Sequence, residues 1–422
     1  MERFIVEGMN KICGKAEISP AKNACLPIIA ASLAFPVKVF LKKAPFIKDV
    51  VAMAEIAESL GGEYRFESGG LKLDLEKIDS YVGKPDIYRR VRASLFTAGA
   101  LLSRFKKAVI PYPGGCNIGL RPVDIHVAAF KALGAKVECE KDHIVIDGTL
   151  MRCGYVKLRF PSVGATVNAI CASIFLKGET VISNAAKEPE IADLCNFLNV
   201  LGCRVYGGGT SVVVIYGIGR DKFDSISYTP VFDRIEAGTF MACCLAVGGD
   251  LCFDADCYNP LRAAAGICAA AGAKIAYSNG TFYMSVKNRP CAVDFVADVY
   301  PAFPTDLQPQ FCAALTKAKG KSGVRDAVFP ERFSYLFQLN KFGAACRLKD
   351  GIATIRGVKK LNGAVVEAPD LRAGAALVVA ALAADGESVI YGADFVRRGY
   401  ADLDKKLRGL GCKIVHKFDD DE

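Results

Sequence analysis

KALGAKVECE, at residues 131–140, is one copy of a motif that occurs six times in the 422-residue chain, and this repeat decides the predicted fold. Each copy has a glycine after a leucine-like residue, followed by a stretch of alternating apolar and polar residues. Successive glycines are 68 to 73 residues apart. Six units of about seventy residues are therefore predicted, with their glycines at Gly61, Gly134, Gly202, Gly272, Gly343 and Gly411.

Each copy of the motif predicts an α-helix, a turn and a β-strand. The residues before the glycine follow the 3.6-residue period of an amphipathic helix, and those after it alternate as in a half-buried strand. Glycine suits the left-handed position that commonly ends a helix. A second helix recurs between the motifs. It is rich in alanine and apolar on all sides, as in RAGAALVVAALAA at 372–384, which is typical of a buried helix.

A charged or hydroxyl residue stands at or near the start of each predicted buried helix. Taken singly, each is explained as well by a helix cap, but caps favour Ser, Asp and Asn, and four of these six residues are basic. A cation opposes the dipole of a helix N-terminus unless an anion lies there. The pattern predicts a cleft where helix starts and cations converge on a multiply charged anion. The six residues are Lys22, Arg92, Ser162, Arg234, Asp306 and Arg372.

Composition predicts a cytosolic protein of two domains. The chain is too long for one ordinary core, 52% of it is hydrophobic, and no apolar run approaches the roughly 18 residues of a membrane span. Its first residues, MERFIVEGMN, lack the pattern of a signal peptide. The 17 cysteines include no C-x-x-C pair and accompany only 3 histidines, so we expect mostly reduced core thiols and no metal site.

The net charge of +9 favours small anionic substrates. Its basic residues are dispersed and form no run interleaved with aromatic residues, which argues against nucleic acid. YGIGRDK at 216–222 lacks the third glycine of a dinucleotide site, and no P-loop motif occurs. We therefore expect no cofactor and neither a nucleic-acid nor a membrane partner. The oligomeric state is left open.

Nine ordered motifs give the chain a resemblance to a known family, the UDP-N-acetylglucosamine 1-carboxyvinyltransferases. These enolpyruvyl transferases move the enolpyruvyl group of phosphoenolpyruvate to the sugar 3-hydroxyl of UDP-N-acetylglucosamine and release phosphate, which is the first committed step of peptidoglycan synthesis. The resemblance spans the chain through PAKNACLP, VRASLF, PGGCNIGLRPVDIH, SVGATV, NAAKEPEI, DRIEAGTF, FPTDLQPQF, DLRAGA and RRGY.

The resemblance implies a mixed α/β fold of two similar domains. Each domain would consist of three repeated units, with buried helices inside and helix–strand layers outside, as an inside-out α/β barrel. We expect residues 1–21 and 231–422 to form one domain and residues 22–230 the other. The chain would cross between them near Pro20 and Pro230, and the active site would lie in the intervening cleft.

The resemblance implies an acid and a base for the reaction, Cys116 and Asp306. Cys116 lies in the glycine-flanked loop PYPGGCNIGLRP at 111–122, which suits movement between an open cleft and a closed site. A thiol with an ordinary pKa of roughly 8.5 is mostly protonated at neutral pH and can serve as the acid. The same sulfur can add covalently to phosphoenolpyruvate, and the sequence leaves open whether that adduct lies on the main path.

Further residues are assigned to phosphoenolpyruvate by the resemblance, because the planar fork of arginine suits both phosphate and carboxylate. The phosphate region would hold Lys22, Arg121 and Arg398, and the carboxylate region Arg332 and Arg372. Asp370 would either hold the carboxylate-binding arginine or relay a proton.

The resemblance also places residues around the sugar nucleotide. A helix start with free backbone amides suits a diphosphate. The resemblance implies further residues for the uridine and for the sugar. Arg92 is also counted as substrate-binding, although it and Arg234 are explained equally well as structural or as loop-positioning residues. The candidates are Ser162, Val163 and Gly164 for the diphosphate, Arg121, Pro122 and Asp124 beside the uridine, Asn23 for the sugar, and Val328.

Two alternatives stay open. One is a 3-phosphoshikimate 1-carboxyvinyltransferase-like enzyme, which shares the fold and the type of reaction but lacks the P-G-G-C loop present here. The other is an inactive regulatory paralogue that binds a UDP-sugar, against which stands the full set of charged candidates. Binding of UDP-N-acetylglucosamine compared with shikimate 3-phosphate distinguishes the two enzymes.

Overall fold

The computed structural model describes residues 2–114, 123–219 and 223–418. They divide into two compact units. The described residues up to Ser19 and from Phe232 onward form what we call the terminal unit, and those from Pro20 to Val231 form the central unit. No described helix is both long enough and apolar enough to cross a bilayer.

The terminal unit contains three four-stranded sheets. In each, one edge strand runs parallel to its neighbour, and the other pairs are antiparallel. In spatial order the sheets are Val365–Glu367, Glu387–Tyr391, Glu2–Glu7 and Lys413–Phe418; Lys274–Ser278, Thr281–Val286, Gly249–Asp254 and Ile12–Lys15; and Phe295–Ala297, Lys321–Asp326, Ile352–Arg356 and Ala345–Lys349.

The central unit repeats this arrangement in two four-stranded sheets and one three-stranded sheet. In the third sheet, a parallel bridge between Val82 and Val109 stands where the others have a parallel edge strand. In spatial order the sheets are Arg204–Tyr206, Val212–Tyr216, Glu179–Ser183 and Tyr155–Lys157; Ile226–Tyr228, Lys38–Lys42, Gly70–Asp74 and Glu63–Glu67; and Lys107–Pro111, His143–Asp147 and Lys136–Cys139.

In three of the sheets a buried helix directly connects the two parallel strands, as a parallel connection requires a crossover. The Leu371–Ala383 helix is typical: all of its residues except Leu371 are buried. In each unit three such helices pack against one another, which confirms the prediction from their uniformly apolar sequences. They are Lys22–Ser32, Thr97–Phe105 and Val163–Ser173 in the central unit, and Arg234–Val247, Gln308–Leu315 and Leu371–Ala383 in the terminal unit.

Six further helices precede the repeated glycines. Each glycine has a positive φ, between 83° and 104°, so the predicted left-handed helix end is confirmed in every copy. The helices are Lys48–Ser59, Asp124–Ala132, Pro189–Val200, Arg262–Ala270, Tyr335–Lys341 and Leu403–Gly409. Shorter helical segments are Pro85–Tyr88, Arg92–Phe96, Asn259–Leu261, Thr305–Leu307 and Ala393–Val396.

The cysteines of the described ranges are free thiols, and most lie in the cores or are half-buried. Burial raises the pKa of Cys195 to about 12 and that of Cys412 to about 11. These thiols are therefore protonated and packed at neutral pH, as the sequence predicted. The exposed thiols of the described residues are Cys13, Cys139, Cys257 and Cys291.

Candidate active site

A carboxylate held by two arginines lies at the start of a buried helix of the terminal unit. Asp306 belongs to the turn Thr305–Leu307, directly before the Gln308–Leu315 helix. Its Oδ1 accepts a hydrogen bond from Arg332 Nη1 at 2.8 Å, and its Oδ2 accepts one from Arg372 Nη2 at 2.9 Å. The arginine side chains are 3% and 4% exposed, whereas that of Asp306 is 29% exposed. We call these three residues the Asp306 cluster.

The Asp306 cluster keeps its carboxylate ionised. Burial alone would raise the pKa of Asp306, but the charges and hydrogen bonds of Arg372 and Arg332 hold that pKa well below its usual range. Burial alone would likewise lower the pKa of Arg372, and Asp306 raises it. Arg332 Nε and Arg372 Nη1 are buried and have no hydrogen-bond partner among the described residues. Two donor nitrogens of the cluster are thus not engaged by the described residues.

Asp370 holds the start of the helix that carries Arg372. Its Oδ1 accepts hydrogen bonds from the backbone N–H groups of Arg372 at 2.8 Å and Ala373 at 3.0 Å, which makes it the N-cap of Leu371–Ala383. These contacts fit the first of the two roles that the sequence left open, in which Asp370 holds an arginine. The relay of a proton stays a prediction.

Protein carboxylates relieve the predicted conflict between cations and helix dipoles. Asp233 caps the helix that begins with Arg234, through hydrogen bonds of 2.8 and 3.0 Å from backbone N–H groups. Arg372 has Asp306 and the cap described above, and Lys22 has an aspartate partner in the central unit. The anion that the sequence predicted at these helix starts is therefore supplied in part by the chain itself.

Tyr400 links the Asp306 cluster to its neighbouring helices. The guanidinium carbon of Arg372 lies 5.4 Å from the centre of the Tyr400 ring, within the range of a cation–π contact. The buried Tyr400 hydroxyl lies 2.8 Å from Thr239 Oγ1 and accepts a hydrogen bond from Gln310 Nε2 at 3.1 Å. Gln310 Nε2 also donates to the backbone oxygen of Asp306 at 3.0 Å. One side chain therefore supports Arg372 and, through Gln310, the backbone of Asp306.

Two other terminal-unit candidates, Arg398 and Val328, are half-buried. Arg398 follows the short Ala393–Val396 helix, is half-buried, and stands two positions before Tyr400. Val328 is also half-buried, and its backbone N–H donates to Asp326 Oδ1 at 3.0 Å.

In the central unit, Lys22 is the first residue of the Lys22–Ser32 helix and forms a nearly buried ion pair. Its Nζ lies 2.6 Å from Asp49 Oδ2, and the two side chains are 11% and 7% exposed. Asn23 follows it and is half-buried. Asp49 thus sets the position of the cation that the sequence assigned to phosphate.

The predicted diphosphate segment does begin a helix. Ser162 is the N-cap of Val163–Ser173, and its Oγ accepts a hydrogen bond from the backbone N–H of Ala165 at 3.3 Å. Val163 and Gly164 form the first turn, where backbone N–H groups lack partners within the helix. The local geometry therefore has the features of an anion-binding helix start.

Gly164 has no room for a side chain. A Cβ atom there would lie 2.7 Å from His126 Cε1 and 2.8 Å from Phe96 Cε1. His126 is itself buried, with Nδ1 2.8 Å from Asn168 Nδ2. Burial and the nearby charge of Arg92 lower the pKa of His126 to about 4, so this imidazole is neutral at physiological pH and packs against the helix start.

Asp124 and Arg92 belong to different elements, and the charges of both act on the pKa of His126. Asp124 begins the Asp124–Ala132 helix and pairs with Arg159, and both side chains are largely exposed. Arg92 is the first residue of the Arg92–Phe96 turn and is half-buried. Both residues belong to the central unit.

Three predicted residues lie outside the described ranges: Cys116, Arg121 and Pro122. The acid, one phosphate ligand and part of the uridine site consequently stay predictions. Among the residues that the structure does describe, no group of three or more His, Cys, Asp or Glu side chains is arranged to hold a metal ion.

Several residues that contact the candidate site residues were not predicted from the sequence. His126, Gln310 and Tyr400 stand inside quoted motifs, but they are buried and bear no charge at neutral pH, so nothing marked them as different from core residues. Asp49 and Asp326 lie outside those motifs, and an isolated aspartate carries no signal of the residue it will contact.

Comparison with known proteins identifies the class to which the chain belongs. The family model described as EPSP synthase (3-phosphoshikimate 1-carboxyvinyltransferase) matches residues 6–407. This span contains the Asp306 cluster, Lys22 and Asp49. The chain belongs to the EPSP synthase family of carboxyvinyltransferases.

Curated relatives define the similarity more narrowly. UDP-N-acetylglucosamine 1-carboxyvinyltransferase 2 of Carboxydothermus hydrogenoformans is 40% identical over 421 residues, which cover 99% of this chain and 100% of that relative. UDP-N-acetylglucosamine 1-carboxyvinyltransferase 1 of Clostridium acetobutylicum is 37% identical over 416 residues, covering 98% and 99% of the two chains. The resemblance predicted from the nine motifs is confirmed.

Solved structures share the fold. The enolpyruvyl transferase NikO from Streptomyces tendae matches with a TM-score of 0.88 at 21% identity, covering 98% of this chain and 99% of NikO. EPSP synthase from Acinetobacter baumannii matches with a TM-score of 0.76 at 16% identity, covering 99% and 100% of the two chains. At such identities the likeness establishes the fold alone, and it confirms the predicted mixed α/β class.

Proposed function

We propose that this chain transfers the enolpyruvyl group of phosphoenolpyruvate to the 3-hydroxyl of UDP-N-acetylglucosamine and releases phosphate, as the first committed step of peptidoglycan synthesis. The Asp306 cluster is the observation that carries the proposal. It combines an ionised, partly exposed carboxylate with two buried arginines that retain unused N–H donors. The near full-length similarity to curated enzymes of this activity supports the choice of substrates.

The reaction needs an acid and a base at the same time. We assign Cys116 as the acid that protonates the methylene carbon of phosphoenolpyruvate, which makes the adjacent carbon electrophilic. We assign Asp306 as the base that takes the proton of the sugar 3-hydroxyl. The oxygen of that hydroxyl then forms a bond to the electrophilic carbon of phosphoenolpyruvate. Loss of phosphate and of a proton from the new methyl group then restores the double bond in the product.

The anionic ends of phosphoenolpyruvate require cations. Arg332 and Arg372 are assigned to the carboxylate, because Asp306 holds both guanidinium groups and each keeps one donor nitrogen without a partner among the described residues. The phosphate is assigned to Lys22, Arg121 and Arg398. Arginine binds both groups through its planar fork, whereas lysine acts as a compact point charge.

The sugar nucleotide is assigned to residues of the central unit, together with Val328 of the terminal unit. The helix start at Ser162, Val163 and Gly164 would hold the diphosphate, and Arg121, Pro122 and Asp124 would lie beside the uridine. Asn23 would orient the sugar, with Arg92 and Val328 as further contacts. This assignment requires groups from both predicted domains, 1–21 with 231–422 and 22–230, and the cleft between them remains a prediction.

We place the reaction in the cytoplasm. The free thiols of the described residues are what a reducing compartment maintains.

Phosphate release tests the function. Release from phosphoenolpyruvate is measured alone, with UDP-N-acetylglucosamine and with shikimate 3-phosphate, for the native chain and for Cys116→Ser. Cys291→Ser, which alters an exposed thiol, is the matched control. We expect release only with UDP-N-acetylglucosamine, full activity in Cys291→Ser, and a loss of about 10²-fold or more in Cys116→Ser.

Each other outcome has a definite meaning. Release with shikimate 3-phosphate alone would replace the proposal by the reaction named in the family description. Full activity of Cys116→Ser would leave the reaction in place and remove that thiol as the acid. No release with either acceptor, together with binding of the UDP-sugar, would favour the regulatory paralogue.

Asp49→Asn is expected to weaken the use of phosphoenolpyruvate without abolishing the reaction. The change removes the charge partner of Lys22 but keeps the shape of the side chain, so the ammonium loses its fixed position. We expect KM for phosphoenolpyruvate to rise about three- to tenfold, with a smaller change in kcat. Steady-state kinetics measure both. Unchanged kinetics would show that Lys22 is held independently of Asp49.

Tyr400→Phe and Tyr335→Phe form a matched pair. Each tyrosine is fully buried and accepts a hydrogen bond from a glutamine at the start of the Gln308–Leu315 helix: Gln310 for Tyr400, at 3.1 Å, and Gln308 for Tyr335, at 2.7 Å. Both changes should lower the free energy of unfolding by about 1–2 kcal/mol, since a buried donor loses one of its acceptors.

Only Tyr400→Phe should also lower kcat/KM, by about three- to tenfold, because only Tyr400 contacts Arg372 and the glutamine that holds Asp306. Urea unfolding and phosphate release measure the two effects. Equal losses of kcat/KM in the two variants would contradict a specific role for Tyr400.

A further inference from the structure

A buried aspartate outside the Asp306 cluster is connected to it. Asp326 ends the strand Lys321–Asp326 and is 1% exposed. Its Oδ1 accepts hydrogen bonds from the backbone N–H groups of Val328 at 3.0 Å and Phe329 at 2.8 Å. Its Oδ2 accepts one from the hydroxyl of Thr305 at 2.6 Å. Asp326 therefore fixes both the turn after its own strand and a residue adjacent to Asp306.

The hydroxyl of Thr305 has one proton, and its direction follows from these contacts. Burial raises the pKa of Asp326, whereas the hydrogen bonds from Phe329, Thr305 and Val328 and the charge of Arg332 lower it. In its ionised form this carboxylate can only accept hydrogen bonds, so the Thr305 proton is directed to Asp326. The oxygen of Thr305 then accepts from Arg332 Nη1 at 3.1 Å. The same Nη1 donates to Asp306 Oδ1 at 2.8 Å. Its two N–H bonds thus have one acceptor each.

These contacts fix the position of the Arg332 guanidinium through its Nη1 atom and do not involve Nε. Both partners of Arg332 Nη1 are set by the chain, while Nε stays buried and without a partner among the residues described. A guanidinium is planar, so fixing Nη1 at two acceptors also fixes Nε.

We propose that Asp326 and Thr305 are positioning residues for Arg332: Asp326 directs the Thr305 hydroxyl so that it accepts from Arg332 Nη1, which holds the guanidinium beside Asp306 in place for the anionic substrate. The proposal rests on the proposed function for the identity of that substrate. It explains why an acidic residue is buried behind the cluster, at a site where an apolar residue would satisfy packing alone.

Substitution of Asp326 by asparagine tests the proton direction. An amide at this site can keep its oxygen toward the backbone N–H groups of Val328 and Phe329, and its NH₂ group then faces Thr305. The hydroxyl must accept from that amide and turn its own proton toward Arg332, where it meets another donor. The change is nearly isosteric, so its effect on the reaction comes from the reversed hydrogen bond together with the loss of a negative charge that acts on Arg332. Thr305→Val, which keeps that charge, separates the two contributions.

The experiment is a double-substitution cycle on the full chain. Asp326→Asn and Thr305→Val are each expected to raise KM for phosphoenolpyruvate by about tenfold, with KM for UDP-N-acetylglucosamine changed by less than about twofold. The double variant should lie within about threefold of either single variant, because the two residues act through one contact. Thr305→Ser keeps the hydroxyl and should restore the KM of phosphoenolpyruvate.

Asp294→Asn is the matched control. Asp294 accepts a backbone hydrogen bond from Gly323 of the same strand, at 2.5 Å, and has no described contact with Arg332. We expect native KM values for this variant. Thermal unfolding of each variant verifies that it is folded under assay conditions, and Thr305→Ser and Thr305→Val test the contact even if Asp326→Asn fails to fold.

A readout without turnover separates this proposal from the proposed function. The ¹³C NMR signal of the Asp306 carboxyl, assigned by its loss in Asp306→Asn, reports the pKa of Asp306 in the free protein. Displacement of Arg332 removes part of the charge that lowers this pKa, so Thr305→Val should raise it and Thr305→Ser should not. Absence of native turnover would overturn the function alone.

Two results would overturn the positioning role. One is a native Asp306 titration together with native KM values in both Thr305→Val and Asp326→Asn. The other is multiplicative effects in the double variant, of about a hundredfold, which would show that the two residues act independently.

Discussion

Asp306→Asn should lower kcat by about 10²- to 10⁴-fold, the range for loss of a general base. Asparagine has nearly the shape of aspartate but cannot take a proton at neutral pH. Binding of phosphoenolpyruvate should not weaken, because Arg332 and Arg372 lose their internal counter-charge and become freer to bind an external anion. A fall in turnover without a fall in affinity is the expected signature.

Single-turnover kinetics and equilibrium binding of phosphoenolpyruvate measure the two quantities for Asp306→Asn. A thermal scan in parallel shows whether the variant is folded. If kcat stays within about tenfold of the native value, Asp306 is not the base. An equal loss of affinity and turnover would instead mean that the carboxylate serves to hold the arginines in place.

Arg372→Gln should shift the acid side of the pH profile. In the native chain the charges of Arg372 and Arg332 hold the pKa of Asp306 well below its usual range, so this carboxylate is ionised throughout neutral and mildly acidic conditions. With one cation removed, the opposing effect of burial raises the pKa of Asp306. The variant should therefore lose relative activity as the pH falls toward about 5, in addition to a higher KM for phosphoenolpyruvate.

The lowered pKa of Asp306 in the native protein also affects the free energy of unfolding. A carboxyl whose pKa is depressed in the folded state stabilises it above the pKa of the unfolded chain and loses that contribution as the pH falls through the folded value. Asp306 makes such a contribution in the native protein at neutral pH, and Arg372→Gln should reduce it. The difference in the free energy of unfolding between the two proteins should be largest near neutral pH and shrink in acid.

Arg289→Gln is the matched control for this prediction. Arg289 is also partly buried, but it donates to backbone carbonyl oxygens, including those of Ala318 and Val358 at 2.9 Å. Its loss should lower stability with an unchanged acid side of the kcat/KM profile. Profiles of kcat/KM from about pH 5 to about pH 9, measured for the native chain and both variants, test whether only Arg372→Gln shifts the acid side. Parallel profiles for native and Arg372→Gln would show that Arg332 alone sets the ionisation of Asp306.

The repeat made most of the fold predictable. A glycine with positive φ and an all-apolar helix are local consequences of residue type, and both were read correctly in every copy. The missing parallel strand in one sheet of the central unit was not predictable, because the Val82–Val109 bridge depends on which backbone groups happen to pair. Pairing between distant segments leaves no local pattern in the sequence.

The site was predictable only for residues whose chemistry stands out. Asp306, Arg332 and Arg372 were named from motifs, but their mutual contacts were not, since they are 26 to 66 positions apart. Asp326 was missed because its role depends on one hydroxyl proton of Thr305. A sequence shows which groups are present, whereas the direction of a proton depends on the packed structure.

The difference between exposed and buried thiols allows unfolding to be measured by chemical labelling. Exposed thiols such as Cys139 and Cys291 can meet an alkylating reagent in the folded chain, whereas buried ones such as Cys171, Cys243 and Cys268 are shielded and have raised pKa values. A brief pulse of reagent followed by mass measurement should separate folded from unfolded molecules by the number of labels they carry. Destabilised variants can thus be compared in a crude extract, without purification or an activity assay.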